Sequence, residues 1–533
     1  MFFKKIWIWF IGLFLKFFPK KNRIRVLLVQ PPIKRSYWGL EDAARLIAET
    51  AHAPLGLITL APILSHEADI FEFRLVDMGF QQLRDGDIKW ADAVMVTGMI
   101  VHKQSIAEIL QRLHGRRPTV VGGPFASSSP HAPELRLATS IFIGEAEQTL
   151  AIRELVAGLR SPRSLKGQYG GLTSDKADLR QSPVPRFDLL KNGAYVALSI
   201  QTSRGCQHRC EFCDVWRLLG LTPRYKEPEQ VAAELEAIRQ TGYRGNVFVV
   251  DDNFINSPTR ARGILEAMLD WQREHGHPFL FYTQADIKIA NAANTALAEL
   301  MVEVGFFAVF IGIETVSKEA LESVGKKQNV GVDVAAAVAH LRELGMIVYA
   351  GFIVGFDTDN SGSFVLMHRF IEKCKISMAM VNMLIALPGT ILYEKMRTEK
   401  RLLDESGGDS AEMPNFLPTM GFSELLSGYR SLIAELYDPE VFFARATREM
   451  SEWKQGVKRR TRLREYLAAF RSMFHQGVMA PYRREYWRFL RQFAGTGKIP
   501  RAIAVAIYYH HLHGYTHEVV LPRLDRELEK LKK

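Results

Sequence analysis

Cysteine is scarce in this chain, with four in 533 residues. That excludes a disulfide-stapled secreted scaffold and points to a reducing compartment. Long apolar runs are also missing. In the amino-terminal stretch 1–18 the longest, residues 6–15, covers ten positions, about half of the roughly 20 that a membrane-spanning helix needs. No small-residue cleavage site follows it, only Phe17-Phe18-Pro19-Lys20-Lys21, which argues against a signal peptide. Residues 1–22 instead suit a helix lying in a membrane interface, or one docked on the protein's own core. Acidic residues are absent from 1–25, which hold seven Lys or Arg. They are sparse in 451–501, with three against thirteen cations. These two flanks account for more than the whole net charge of +11, so the body between them is acidic. The length predicts about three domains.

The few cysteines are not scattered. Cys206, Cys210 and Cys213 fall within eight positions as C-x3-C-x2-C, in the stretch 204–214. Thiolates are soft ligands suited to iron–sulfur clusters and zinc. Three on one loop can hold three irons of a four-iron, four-sulfur (4Fe-4S) cluster and leave the fourth open to substrate. A structural zinc site would want a fourth Cys or His; His208 lies in the loop, but the spacing suits neither a ribbon nor a finger. Cys374, alone in an expected helix over 364–375, reads as a small buried hydrophobe.

Before this loop, apolar strands at 24–32, 93–98, 119–124 and 140–145 alternate with helical stretches such as 105–113. That order predicts an α/β unit, a Rossmann-like doubly wound sheet over 23–160, whose ligand sits beyond the strands' carboxyl ends. Gly98, Gly122, Gly123, Gly144 and Glu145 occupy those ends. Residues 161–190, rich in Pro, Gly and Ser, read as a linker. From 191 to 402, strands at 196–202, 246–250, 279–283, 308–313 and 347–354 alternate with helices at 228–241, 259–274, 295–304 and 332–344. They predict a partial (β/α)6 TIM-like barrel with its chemistry at the carboxyl ends of the strands. Asp251, Asp252 and Asn253 follow one strand, Glu314 ends another, and Gly351 and Gly355 flank a third. Gln284 and Asp286 follow a further strand and are weaker candidates. Residues 403–533 form a basic helical region. Its stretch 482–491 interleaves arginine and aromatic residues in a way that suits an anionic membrane, RNA or plain solvent.

The cysteine loop resembles the signature of the radical S-adenosylmethionine (radical SAM) enzymes, with Phe212 at that family's usual aromatic position. The preceding sheet resembles the cobalamin-binding domain of its cobalamin-dependent members, through Pro54-Leu55-Gly56-Leu57, Val121-Gly122-Gly123-Pro124 and Gly144-Glu145-Ala146-Glu147. The helical extension is similar to that of the subgroup containing the hopanoid C-2 methylases. The resemblance covers residues 24–510. It implies that Cys206, Cys210 and Cys213 bind the 4Fe-4S cluster. It places Asp251, Asp252, Asn253, Glu314, Gly351 and Gly355 at S-adenosylmethionine, and Gly98, Gly122, Gly123, Gly144 and Glu145 at cobalamin. No D-x-H-x-x-G motif is present, so no histidine is expected below the cobalt, and His52 and His102 are expected to be structural or solvent-facing. The implied activity is a C-methyltransferase acting on an unactivated carbon of an apolar, lipid or isoprenoid substrate. One S-adenosylmethionine methylates the cobalamin, and a second yields the 5′-deoxyadenosyl radical. A reducing partner such as flavodoxin or ferredoxin and a membrane surface are expected, nucleic acid is not, and the expected location is cytoplasmic, peripheral at the inner membrane face. Radical cyclisation, coupling or rearrangement without methyl transfer, and a cobalamin sensor without catalysis, stay open. A methylthiotransferase would need a second cysteine set before Cys206, and the chain has none.

Overall fold

The computed structural model describes residues 23–37, 39–161, 164–173, 176–404, 413–454 and 462–533. The expected membrane-interface segment, residues 1–22, lies outside the described residues.

Two parallel sheets organise the chain. The first runs in the order Phe71–Asp77, Ile24–Gln30, Ala93–Thr97, Thr119–Gly122, Ser140–Ile143, Gln168–Gly170. Alternation decides which helices cover it. Val26 and Leu28 point to one face and pack on helices Leu55–Glu67 and Thr149–Arg160 through Leu57, Leu64, Ile152 and Leu155. Leu27 and Val29 point to the other and meet Ile106, Ile109 and Leu113 of helix Lys103–Leu113. With both faces buried, the central strands carry continuous apolar runs, Val26-Leu27-Leu28-Val29 and Ala93-Val94-Met95-Val96.

The second sheet carries six barrel strands in the order Met378–Met383, Ile347–Val354, Phe306–Glu314, Leu280–Gln284, Asn246–Val249, Tyr195–Ile200. A seventh, Thr50–His52, pairs in parallel with Tyr195–Ile200. This short strand leaves the first unit to join the second, and helix Glu41–Ile47 goes with it, packing Ala43 and Leu46 into the barrel core. The stretch read as a linker likewise holds the strand Gln168–Gly170, paired to Ser140–Ile143 at the edge of the first sheet. Both strands have three residues, too few to show a period.

The helices after residue 421 close the open side of the barrel. The edge strand Met378–Met383 would otherwise expose its carbonyls. Tyr429 Oη donates to Val381 O at 2.9 Å, and Tyr437 Oη donates to Ala379 O at 2.8 Å. The arginine-rich helix Arg483–Gln492 buries Tyr486, Phe489 and Leu490 and leaves its arginines outside. Among the described residues, no helix is long and apolar enough to cross a membrane.

Candidate active site

Strand Tyr195–Ile200 delivers the cysteine loop. Ser203–Arg204 then pairs antiparallel with Arg224–Tyr225, so residues 205–223 form a closed excursion. Gly205 opens it at φ 95°, where a Cβ would lie 2.9 Å from Gly220 O. Only glycine fits there without strain. Cys206 N donates to Gly220 O and Cys213 N to Cys210 O, both at 3.2 Å. Cys210 is buried, and Cys206 and Cys213 are half-buried. Burial pushes the free thiols up, Cys206 to about 11 and Cys213 to about 12. Thiols held in that state lose their protons on binding iron.

The surroundings fit a thiolate-held cluster. Lys326 is buried beside Cys210 and Cys213; burial opposes its charge, but Glu314 and Cys210 raise its pKa. Its Nζ donates to Glu314 Oε1 at 2.7 Å. Gln328 Nε2 donates to Cys210 Sγ at 3.8 Å. His208, the candidate fourth zinc ligand, instead faces Asp286, with Nε2 2.8 Å from Oδ2. Among the described residues, no three His, Cys, Asp or Glu side chains converge as they would around a single metal ion. A multi-iron cluster spreads its thiolates more widely than one ion does.

The two adjacent acids after strand Asn246–Val249 have opposite fates. Asp251 is fully buried and accepts from Thr202 N (2.7 Å), Thr202 Oγ1 (2.6 Å) and Ser203 Oγ (2.6 Å). Asp252 faces the cavity and accepts from Gly205 N at 3.0 Å. Burial pushes its carboxyl up to about 6, with the Gly205 N–H pulling the other way. Asn253 is spent internally: its Oδ1 accepts from Asp286 N at 3.0 Å and its Nδ2 donates to Asn256 at 3.2 Å. Glu314, at φ 68°, is tied to Lys326. Gly351 packs under the Phe310 ring, and Gly355 lies against Leu425 of helix Phe422–Leu436.

A cavity of about 1090 Å³ runs between the carboxyl ends of the two sheets. From the first sheet come Gly98, Gly122, Gly123, Gly144 and Glu145. The second sheet and cysteine loop add Ser199, Gln201, Phe248, Asp252, Gln284, Asp214 and Val215. Asp251, Asn253, Glu314, Gly351 and Gly355 do not line it. His102 lines it in neutral form. Burial lowers its pKa to about 4, its Nδ1 accepts from Met99 N, and its Nε2 lies 3.3 Å from Gln30.

Glu145 has a second role beside lining the cavity. Its carboxylate turns to the cysteine hairpin, accepting from Arg224 Nη1 at 2.9 Å, Arg204 Nη1 at 3.2 Å and Ala177 N at 3.0 Å. Glu147 takes Arg204 in a bidentate fork, both contacts at 2.8 Å. Burial alone would raise the Glu147 carboxyl, yet the Arg204 charge and hydrogen bonds hold it at about 2. The 145–147 segment thus clamps the residue two places before Cys206, coupling the two halves at the cavity rim. Arg204 and Lys326 were not foreseen; each has its acid partner far along the chain or past a turn.

The wall below the cavity is aromatic. Phe248 stacks on Tyr282 with centroids 4.7 Å apart and planes 3° from parallel. His52 lies 5.3 Å from Phe248, and Phe307 lies 5.7 Å from Tyr282. A bulge between the strands of Tyr282 and Phe307 turns the Phe307 ring to this side. The Arg501 guanidinium sits over Phe307 at 5.2 Å.

Residues 200–371 match the radical SAM superfamily, and 390–522 match a domain of unknown function, DUF4070. An uncharacterized methyltransferase of Synechocystis is 36% identical, over 85% of this chain and 88% of its own. The hopanoid C-2 methylase of Rhodopseudomonas palustris is 30% identical, over 93% and 94%. Among solved structures, the radical S-adenosylmethionine methyltransferase TsrM from Kitasatospora setae, with cobalamin and a [4Fe-4S] cluster bound, shares the fold. Its TM-score is 0.60 at 16% identity, covering 90% of this chain and 99% of that one. The cobalamin-dependent S-adenosylmethionine radical enzyme OxsB gives 0.59 at 17%, covering 96% and 82%. With a cysteine loop on a six-stranded half-barrel and relatives matching nearly end to end, the chain belongs to the radical SAM methyltransferase family that includes the hopanoid C-2 methylase.

Proposed function

We propose that this protein is a cobalamin-dependent radical SAM C-methyltransferase that methylates an unactivated carbon of an apolar lipid, polycyclic or isoprenoid in character. The observation that carries the reading is the single cavity joining the carboxyl ends of both sheets, with the strand-end glycines on one side and Asp252 on the other. When bound, the cofactors supply a 5′-deoxyadenosyl radical and a transferable methyl group.

The chain's own residues supply position and charge. Cys206, Cys210 and Cys213 are the thiolate donors for the cluster, and the Lys326 ammonium offsets their charge. Asp252 is the carboxylate placed to receive the amino group of S-adenosylmethionine. Asp251 and Asn253 hold the loop that presents it. Gly123, at φ 90°, keeps side chains off the strand end where a broad planar ring system would rest. Both ring nitrogens of His102 are engaged, with Met99 N and Gln30 Nε2, so hydrogen bonds hold this cavity-lining imidazole in place. Phe248, which lines the cavity and is backed by the stacked Tyr282 ring, offers apolar surface to a flat hydrocarbon body. The electron comes from a separate reducing protein of flavodoxin or ferredoxin type, and the lipid from a membrane surface.

Asp252→Asn is expected to weaken S-adenosylmethionine binding by roughly 10- to 100-fold, the worth of one charged hydrogen bond. Asp251→Asn should instead lower the melting temperature, since it disturbs three internal hydrogen bonds. Equilibrium dialysis against thermal melting separates the two; equal affinities in wild type and Asp252→Asn would remove Asp252 from the site. The function itself is tested anaerobically, with cobalamin-loaded protein, reductant, methyl-deuterated S-adenosylmethionine and a lipid extract. Deuterium in a lipid supports the reading. Lipid consumed without label points to radical rearrangement or coupling.

A further inference from the structure

The helix Leu463–Phe474 and the turn His475–Met479 that continues it are amphipathic in the wrong sense for a buried helix. Small and polar residues face inward: Ala468, Ser472 and Gln476 are buried, with Gln476 Nε2 donating to Ser472 Oγ at 2.8 Å and Ser472 Oγ 3.1 Å from Tyr486 Oη. The apolar residues face outward. Leu463, Leu467, Phe470, Phe474 and Val478 recur at helical spacing and expose 75, 50, 71, 50 and 58% of their surface. A surface helix normally shows the reverse. An exposed apolar stripe of this length marks an interaction surface.

The helix is firmly seated, so the stripe is not a loose flap. Arg464 donates to Tyr195 O at 3.0 Å and to Val196 O at 2.9 Å, at the start of the first barrel strand. A cationic helix adjoins the stripe. The next helix exposes Arg483, Arg484, Arg488 and Arg491, none of which pairs with an acid among the described residues. It is pinned to the end of the stripe by Trp487 Nε1, which donates to Gly477 O at 2.9 Å. The preceding sequence, 454–462, holds five Lys or Arg and no acid.

We propose that this face docks on an anionic lipid bilayer, the apolar stripe entering the headgroup–acyl boundary and the arginines meeting lipid phosphates. A nucleic acid would satisfy the arginines and leave the stripe wet. A second copy would cover the stripe and bring the same positive charge against it. The bilayer satisfies both features. The docked helix packs on helix Glu41–Ile47, whose Glu41 and Arg45 line the cavity. Docking therefore puts the cavity wall one helix away from the lipid, a short route for an apolar substrate.

This deepens the membrane partner of the proposed function, and its test needs no turnover, so the two readings fail separately. Full-length protein is sedimented with phosphatidylglycerol vesicles, with phosphatidylcholine vesicles, and alone. The comparison is a triple variant, Leu467→Glu, Phe470→Glu and Phe474→Glu, whose exposed positions leave the core intact. Wild type should prefer phosphatidylglycerol, and the variant should bind it about tenfold more weakly or worse, with an unchanged melting temperature. Equal binding by both proteins would overturn the proposal. So would a wild-type dimer that the variant dissociates without any change in vesicle binding.

Discussion

Cys210→Ala is expected to abolish S-adenosylmethionine cleavage while leaving the fold in place. Cys210 is the buried member of the three, braced by Gln328 and facing Lys326. Its methyl replacement cannot ligate iron, and the loop's remaining thiols, Cys206 and Cys213, are the other two ligands and cannot take its place. The loop itself does not depend on the sulfur. It is closed by the Ser203–Arg204 and Arg224–Tyr225 pairing, by Gly205, and by Asn256, whose Nδ2 donates to Gly205 O at 3.0 Å. Iron and sulfide content after anaerobic reconstitution should fall, and 5′-deoxyadenosine formation should drop by more than about 100-fold. Cys374→Ala is the control, since that cysteine lies buried in helix Ser361–Cys374 outside the loop. A Cys210→Ala protein that kept its cluster and its cleavage would refute the assignment.

Arg204→Met is expected to have the largest effect on stability. The guanidinium joins Glu145 and Glu147, two nearly buried carboxylates. Arg224 remains for Glu145, but Glu147 keeps only Ser182, which donates to it at 3.0 Å. Leaving a buried charge unpaired costs about 3–5 kcal/mol. The pH dependence gives a second signature. In the wild type the Glu147 carboxyl is depressed to about 2. Its stabilisation is therefore complete above the usual carboxylate value and is lost as pH falls towards 2. In the variant, burial outweighs the hydrogen bonds that remain and raises the carboxyl, so acid relieves the penalty. The gap in melting temperature between the two proteins should narrow as pH falls from about 5 to 3. A gap independent of pH would mean that Glu147 is not the group released.

The parts of this site visible in the sequence share one property: they are local. The cysteine spacing, the Asp251-Asp252-Asn253 segment and the strand-end glycines each lie within a few residues. What sequence could not settle was direction and distance. Asp251 and Asp252 are neighbours at a strand end, where successive side chains point to opposite sides. One is consumed by Thr202 and Ser203, and the other reaches the cavity. Glu145 ends a strand and lines the cavity, but the partner its carboxylate takes, Arg204, lies 59 positions away. The alternation of strands and helices made both sheets legible. The three-residue strand Thr50–His52, which ties the first unit to the second, carries no period to read. The outward apolar stripe at 463–478 shows the same limit, because periodicity does not say which side of a helix faces the core.

The proposed function requires two uses of S-adenosylmethionine, methyl donation and radical generation. The most direct measurement is the ratio of S-adenosylhomocysteine to 5′-deoxyadenosine during turnover, with protein carrying its cluster and cobalamin, methyl-deuterated S-adenosylmethionine, excess reductant and a lipid extract. The account predicts both nucleosides in similar amounts, rising together with deuterated lipid. 5′-Deoxyadenosine formed alone, while lipid is consumed without gaining a methyl group, would contradict it.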